Sequence, residues 1–298
     1  MQINRNLDRL AVTNKINQTN TQTHDFPISK SELTLGIKEL VKARCSTNSS
    51  NTYCEWEGSV YAFTPQERPK KLFNIIGMNA SRCLPQNDNK WLLVSREITL
   101  YLDPLTNEVL NYWQNPWTGE TVPVVHVTLN PIQIILQGEY PAFVHGKNVT
   151  FRIDVPLSYP NVLGDNPKYQ DYSPQKLYQA GEFFQYIVPI DEVLDPSVTS
   201  VKSFSGSWMR FGLWLPWMKM KDKPGQLIYN AAIKKFSDFE RLSPVLRQLI
   251  NSRLPSYKEA PDKFVPGRNE TSWTYFHKHF EEYLQDKSFP ISEPLETK

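Results

Sequence analysis

The chain has 298 residues, 40% apolar and 12% aromatic, with 33 basic against 31 acidic side chains and a net charge of +2. That apolar content excludes wholesale disorder and suffices for one large domain or two ordinary ones. The charge balance gives no basic footprint for nucleic acid or a membrane surface, and none of the 12 glycines belongs to a G-x-x-x-x-G-K-[ST] phosphate loop.

Residues 1–28, rich in Asn, Gln and Thr, read as a flexible polar tail. They carry neither the apolar run nor the small-residue cleavage site of a secretory signal, so the expected location is cytoplasmic. Ser29 and Glu32 fit a capping box before a short helix whose apolar stripe is Leu33, Ile37, Leu40 and Val41. From Cys54 the period falls from helical to two. The stretch CEWEGSVYAFTP reads as a strand ending at Pro65, and KKLFNIIGMNASRCL as a second. WLLVSREITLYLD is a third, closed by a turn at Asp103-Pro104. EVLNYWQNP returns from it, and Trp117–Glu120 turns the chain again. VPVVHVTL, PIQIILQG and NVTFRIDVPLSY follow. At least six short strands without intervening helices predict a mainly β (α+β) fold with an antiparallel, barrel-like sheet, its sequential strands paired.

Ser173-Pro174 predicts a helix through QKLYQAGEFFQY, and SVKSFSGSWMRFGLWLPWM a last strand pair. LIYNAAIKKF, the segment from Ser243-Pro244 through Leu254, and TSWTYFHKHFEEYL read as C-terminal helices. Residues 29–288 thus form one barrel-like domain with a helical C-terminal third, and 289–298 a second flexible tail. No window approaches the roughly 18 apolar residues of a membrane span. Cys45, Cys54 and Cys83 lack metal-like spacing and read as reduced thiols.

Several patterns stand in a distinctive order: W-x-G-x-V-Y-A from Trp56, L-F-x-x-x-G-x-N-x-x-R-C from Leu72, and S-R-E-x-x-L-Y-L-D-P-x-T-x-E from Ser95. N-P-x-T-G-E, V-x-H-V, W-x-R-x-G leading to Pro216-Trp217, and T-S-W-x-x-F follow. In this order the chain resembles the bacterial and fungal family known as domain of unknown function 1838, from about Leu33 to Tyr283. The resemblance implies a single domain, but neither an activity nor a set of catalytic residues.

Candidate chemistry therefore comes from the residues themselves. On the third strand Glu97, Thr99 and Tyr101 alternate with Ile98, Leu100 and Leu102, so a polar face meets either water or a cavity. The arm that carries His126 is apolar on both faces, which predicts a sheet covered on both sides and favours the cavity. His126, Glu97 and Tyr101 are the candidate acid–base residues, since an imidazole titrates near neutrality. The alternative for His126 is a half-buried residue bonded to a neighbouring strand. Arg82, Arg96 and Arg210, set among apolar residues, are candidates to hold a ligand carboxylate or to pair with Glu55, Glu57 or Asp154. Trp113, Trp208 and Trp214 are candidates to stack on a ligand, or else core. His277 and His279 diverge by about 200° on a helix, so no metal site is predicted.

Together these residues predict a protein that binds, and converts, a small apolar or aromatic metabolite in a barrel cavity. The chemistry would be isomerase-, cyclase- or hydrolase-like, by acid–base catalysis without an organic cofactor. Two alternatives stand beside it: a non-catalytic carrier or sensor of the calycin type, and an interaction module whose aromatics pack only internally.

Overall fold

The computed structural model describes residues 32–294 except positions 88, 165 and 203. The expected tail over 1–28 and the cap at Ser29 lie outside the described residues, as do residues 295–298.

Ten strands form one antiparallel sheet. They are β1 (Glu32–Gly36), β2 (Thr52–Phe63), β3 (Lys70–Gln86), β4 (Lys90–Leu102), β7 (Val127–Leu136), β8 (Glu139–His145), β9 (Asn148–Pro160), β10 (Leu177–Pro189), β11 (Ser205–Gly212) and β12 (Gln226–Phe236). Two short strands, β5 (Tyr112–Gln114) and β6 (Thr121–Pro123), pair apart from it. The large sheet runs β1-β8-β9-β10-β11-β12-β2-β3-β4-β7 and curls into a half-barrel whose two edge strands, β1 and β7, are not paired with each other. The helices are α1 (Ile37–Arg44), α2 (Ile190–Leu194), α3 (Pro244–Arg253), α4 (Ser272–Lys278) and α5 (Phe280–Leu284).

Several expectations need correction. Sequential pairing holds from β2 to β4 and from β8 to β12, but β7 and β8, joined through Gln137 and Gly138, do not pair, and β2 takes β12 as its second neighbour. Leu33 belongs to a strand, and α1 starts at Ile37 after Gly36 with no side-chain cap. The segments read as helices at QKLYQAGEFFQY and LIYNAAIKKF are strands. Each carries an alternating buried set (Tyr178, Ala180, Tyr186 and Val188; Leu227, Tyr229, Ala231 and Ile233) and is paired on both sides, which overrides its local helix preference. The expected strand pair at 200–218 is one strand, β11, followed by a single tight turn at Pro216–Met218. The last helix breaks at His279 into α4 and α5.

A core packs on each face of the sheet, although the arm of His126 from which the sequence predicted this is not one strand: Val122 lies in β6, apart from the large sheet, and His126 lies just before β7. On the sheet's outer face Leu242, Leu246, Ile250 and Leu254, from α3 and its flanks, pack on Ile76, Met78, Ala80, Ile98, Leu100 and Leu102 of β3 and β4. On its inner face α1 closes one end of the trough. Helices leave their last carbonyls unpaired, and a buried lysine takes up those of α1. Lys235 Nζ donates to the carbonyls of Lys42, Ala43 and Cys45 at 2.8 Å each. All three ammonium protons are used, while burial brings the Lys235 amine down to about 8. At the other end Trp113, Trp217, Trp273, Phe276 and Phe280 form an aromatic plug.

Candidate active site on the concave face

Alternation along β4 settles where its polar face looks. Ile98, Leu100 and Leu102 belong to the outer core and Tyr101 to the inner one. Across β3 and β4, Asn79 pairs with Glu97, Gly77 with Thr99 and Ile75 with Tyr101, so these side chains share the concave side. Across the trough the same parity places Glu182 opposite Arg210 and Phe184 opposite Trp208. Ile153, Val155 and Leu157 of β9 point the same way and are only half-buried. Glu97, Glu182, Phe184 and Trp208 are half-buried as well, so this part of the trough stays open to solvent.

Two carboxylates and two guanidinium groups face one another here. Burial pushes the Glu97 carboxyl up to about 7, and the charge of Glu182 adds to the effect. Arg44 and hydrogen bonds from Asn79 and Ser95 oppose it. Burial also raises Glu182, against the pull of Arg210. The Arg210 Nε lies 3.4 Å from Glu182 Oε1, its Nη2 donates to the Tyr178 hydroxyl at 2.5 Å, and its plane covers the Tyr229 ring at 4.9 Å. The Tyr229 hydroxyl in turn meets that of Tyr101 at 3.2 Å. Trp56 and Trp208 meet edge to face at 6.1 Å, with Trp208 5.5 Å from Tyr229. Three buried polar atoms on these inward side chains find no protein partner: Asn79 Oδ1, Trp56 Nε1 and Trp208 Nε1. Such atoms cost free energy unless water or a ligand satisfies them.

At the α1 end, Arg44 Nη1 donates to Ser81 Oγ at 2.9 Å and approaches Cys54 Sγ at 3.5 Å. The cysteines are free and buried. Burial alone would raise the Cys45 thiol, but its contacts with Cys83 and Arg44 outweigh that and bring it down to about 6.

The structure gathers Glu97, Tyr101, Trp208 and Arg210 around the trough and sends the other candidates elsewhere. His126 is buried, its Nδ1 accepting from the Tyr101 backbone N–H at 3.1 Å and its Nε2 donating to the Leu110 carbonyl at 2.9 Å. Burial lowers its pKa to about 4. With both nitrogens engaged by backbone, the neutral ring ties the 110–126 excursion to β4. Arg82 and Arg96 project from the outer face. Arg82 pairs with Asp262, and Arg96 donates to the carbonyls of Ser256 and Glu259, holding the segment after α3. Trp113 is packed between Phe73 and Trp217 in the plug. Trp214 lies edge to face with Trp117, and its Nε1 donates to the Lys223 carbonyl. Of the expected carboxylate partners, Glu55 instead accepts from the Ser243 N–H at the start of α3. A cavity of about 240 Å³ lies on the outer face between α3 and Ser288–Pro290. Its only charged lining residue, Arg253, is bonded to the Ser288 and Pro290 carbonyls, so that cavity offers shape without acid–base groups.

Sequence reasoning missed Arg44, Glu182, Asn79 and Trp56. Glu182 was hidden by the helical reading of β10. The alternation Tyr178, Ala180, Glu182, Phe184, Tyr186, Val188 was the available signal.

The family model described as "Protein of unknown function (DUF1838)" matches residues 49–280, from the approach to β2 through α4 to the first residue of α5, leaving β1 and α1 outside the match. The chain belongs to the DUF1838 family. The resemblance read from the ordered motifs is thereby confirmed, and several of those motifs fall on the trough: the tryptophan of W-x-G is Trp56, the asparagine of G-x-N is Asn79, the glutamate of S-R-E is Glu97 and the arginine of W-x-R is Arg210. No curated protein matches the chain. Among the described residues, no helix is long and apolar enough to cross a membrane.

Proposed function

We propose that this DUF1838 protein is an enzyme that binds a small metabolite in the half-barrel trough and transfers a proton on it, without an organic cofactor. The observation that carries the reading is Glu97, a carboxyl poised near neutrality on a solvent-open concave face among polar atoms that lack protein partners. An acid whose pKa matches the working pH can both give and take a proton. Glu182, paired with Arg210, lies close enough that its charge favours the protonated form of Glu97. Tyr101 and Tyr229 add a hydroxyl pair at the plug end. Isomerisation, cyclisation and hydrolysis all fit such a set.

The aromatic walls supply the second reading, a calycin-type carrier in which the same rings bind and nothing reacts. One experiment separates the two. Wild type and Glu97→Gln are each incubated with a small-molecule extract, and both solution and protein-bound material are examined by mass spectrometry. The enzyme reading expects a compound that wild type consumes and the variant retains unchanged. The same compound retained unaltered by both proteins would favour the carrier, and retention by neither would overturn the trough as a binding site.

A further inference from the structure

We propose that the trough is built for a molecule ending in a carboxylate, which Arg44 holds while an unsaturated or aromatic body lies along Trp208 and Phe184. The inference rests on the trough being the binding site and adds the class of its occupant.

Arg44 differs from the other arginines near the sheet. Arg82 is paired with Asp262, Arg96 is spent on two backbone carbonyls, and Arg210 is paired with Glu182. Arg44 makes no ion pair among the described residues. Its Nη1 bonds to the neutral Ser81 hydroxyl and the Cys54 sulfur, and it stays half-buried although α1 around it is buried. A guanidinium carries five N–H donors in a planar fork that matches a carboxylate. Nη1 is turned toward Ser81 and Cys54 and the Tyr186 hydroxyl lies within reach of the guanidinium, so these neutral partners leave its charge without a counter-ion.

The local charge points the same way. Lys235 stands behind Arg44 as a second cation, its protons used by the carbonyls that end α1. Against these two positive charges stand the Cys45 thiol, brought down to about 6, and Glu97, pushed up to about 7. At neutral pH the second of these is only partly ionised, so this end of the trough is short of negative charge. A bound carboxylate supplies it and keeps Glu97 in its protonated, donating form. The inward rings then suit a flat carbon skeleton, and the free indole N–H of Trp208 and the Asn79 carbonyl suit an oxygen substituent on it.

The test compares matched acids and amides on the full-length protein by titration calorimetry: trans-cinnamate with trans-cinnamamide, indole-3-acetate with indole-3-acetamide, and sorbate with sorbamide. Each acid should bind at least about tenfold more tightly than its amide. In Arg44→Gln the ratio should fall toward unity, and in Arg44→Lys it should recover in part. Acids and amides that bind equally would overturn the proposal while leaving the trough as a site for neutral molecules. A preference that survives Arg44→Gln would overturn the role of Arg44. If none of the six bound, the trough reading would fall with the proposal. The wild-type comparison needs no variant, so it holds even if Arg44→Gln does not fold.

Discussion

Glu97 and His126 show how burial alone sorts titratable residues. Burial acts on both, fully on His126 and partly on Glu97, and in both it favours the neutral form, so the carboxyl rises to about 7 and the imidazole falls to about 4. Their remaining contacts decide what that neutrality is for. His126 uses its nitrogens on backbone, whereas Glu97 faces an open trough. The raised pKa of Glu97 has a stability consequence. A carboxyl whose folded pKa exceeds its unfolded value of 4.5 binds more protons in the native state between those values, so its contribution is present at low pH and lost as pH rises through about 7. Glu97→Gln removes the penalty of ionisation. The variant should match wild type near pH 5 and exceed it at pH 8, by on the order of 1–2 kcal/mol after allowing for its partial exposure. Thermal unfolding at both pH values measures this, and a variant less stable at pH 8 would contradict the assignment. His126→Ala should instead destabilise most above the ordinary imidazole value of 6.5, by on the order of 1–3 kcal/mol, because it strands the Tyr101 N–H and the Leu110 carbonyl, and the loss should shrink as pH falls toward about 4.

Elements were legible where one periodicity acted alone. β2, β3 and β4 announced themselves by alternation and turns, and α3 by Ser243-Pro244 with Leu246 and Ile250 one turn apart. β10 and β12 were not, because runs such as LYQAGEFFQY and LIYNAAIKKF satisfy helical spacing as well as alternation, and only pairing with distant neighbours decides between them. That misreading turned Glu182 away from its true face and hid half of the candidate site. Arg44 was illegible for another reason: nothing local in IKELVKAR says that the helix will end beside Ser81 and Cys54. Gly77 offers an element-scale test of how tightly the trough floor is made. A Cβ built there would stand 2.3 Å from Trp56 Nε1 and 2.5 Å from the Ile98 carbonyl, so the indole lies directly on the bare backbone. Gly77→Ala must displace Trp56 or part β3 from β4, and should cost on the order of 1–3 kcal/mol as overpacking does. It should also weaken binding of the trough probes, and a variant with unchanged stability and binding would show that Trp56 is free to move.

At the scale of the whole molecule, one curled sheet separates two cores with different duties. The outer core joins α3 to β3 and β4 through apolar side chains, with buried Glu55 bonded to the start of α3 at its edge, whereas the inner core is interrupted in its middle by Glu97, Glu182 and Arg210. Buried charge is costly even when paired, so the apolar outer layer and the two end plugs must supply the stability that the trough does not. This division can be tested from the outer side. Leu246 is fully buried against β3 and β4, and Leu246→Ala leaves a cavity without touching any inward-facing residue. The expected loss is about 2–5 kcal/mol of stability, read by chemical unfolding. The acid-to-amide binding ratio of the folded variant should stay within about twofold of wild type, since effects at non-contacting sites usually add independently. The strand register, fixed by hydrogen bonds along β2–β4, is what holds Glu97 beside Asn79, and it does not depend on one outer methyl cluster. If the ratio collapsed together with stability, the curvature of the half-barrel would have to be set by α3, and the trough would be a property of both cores.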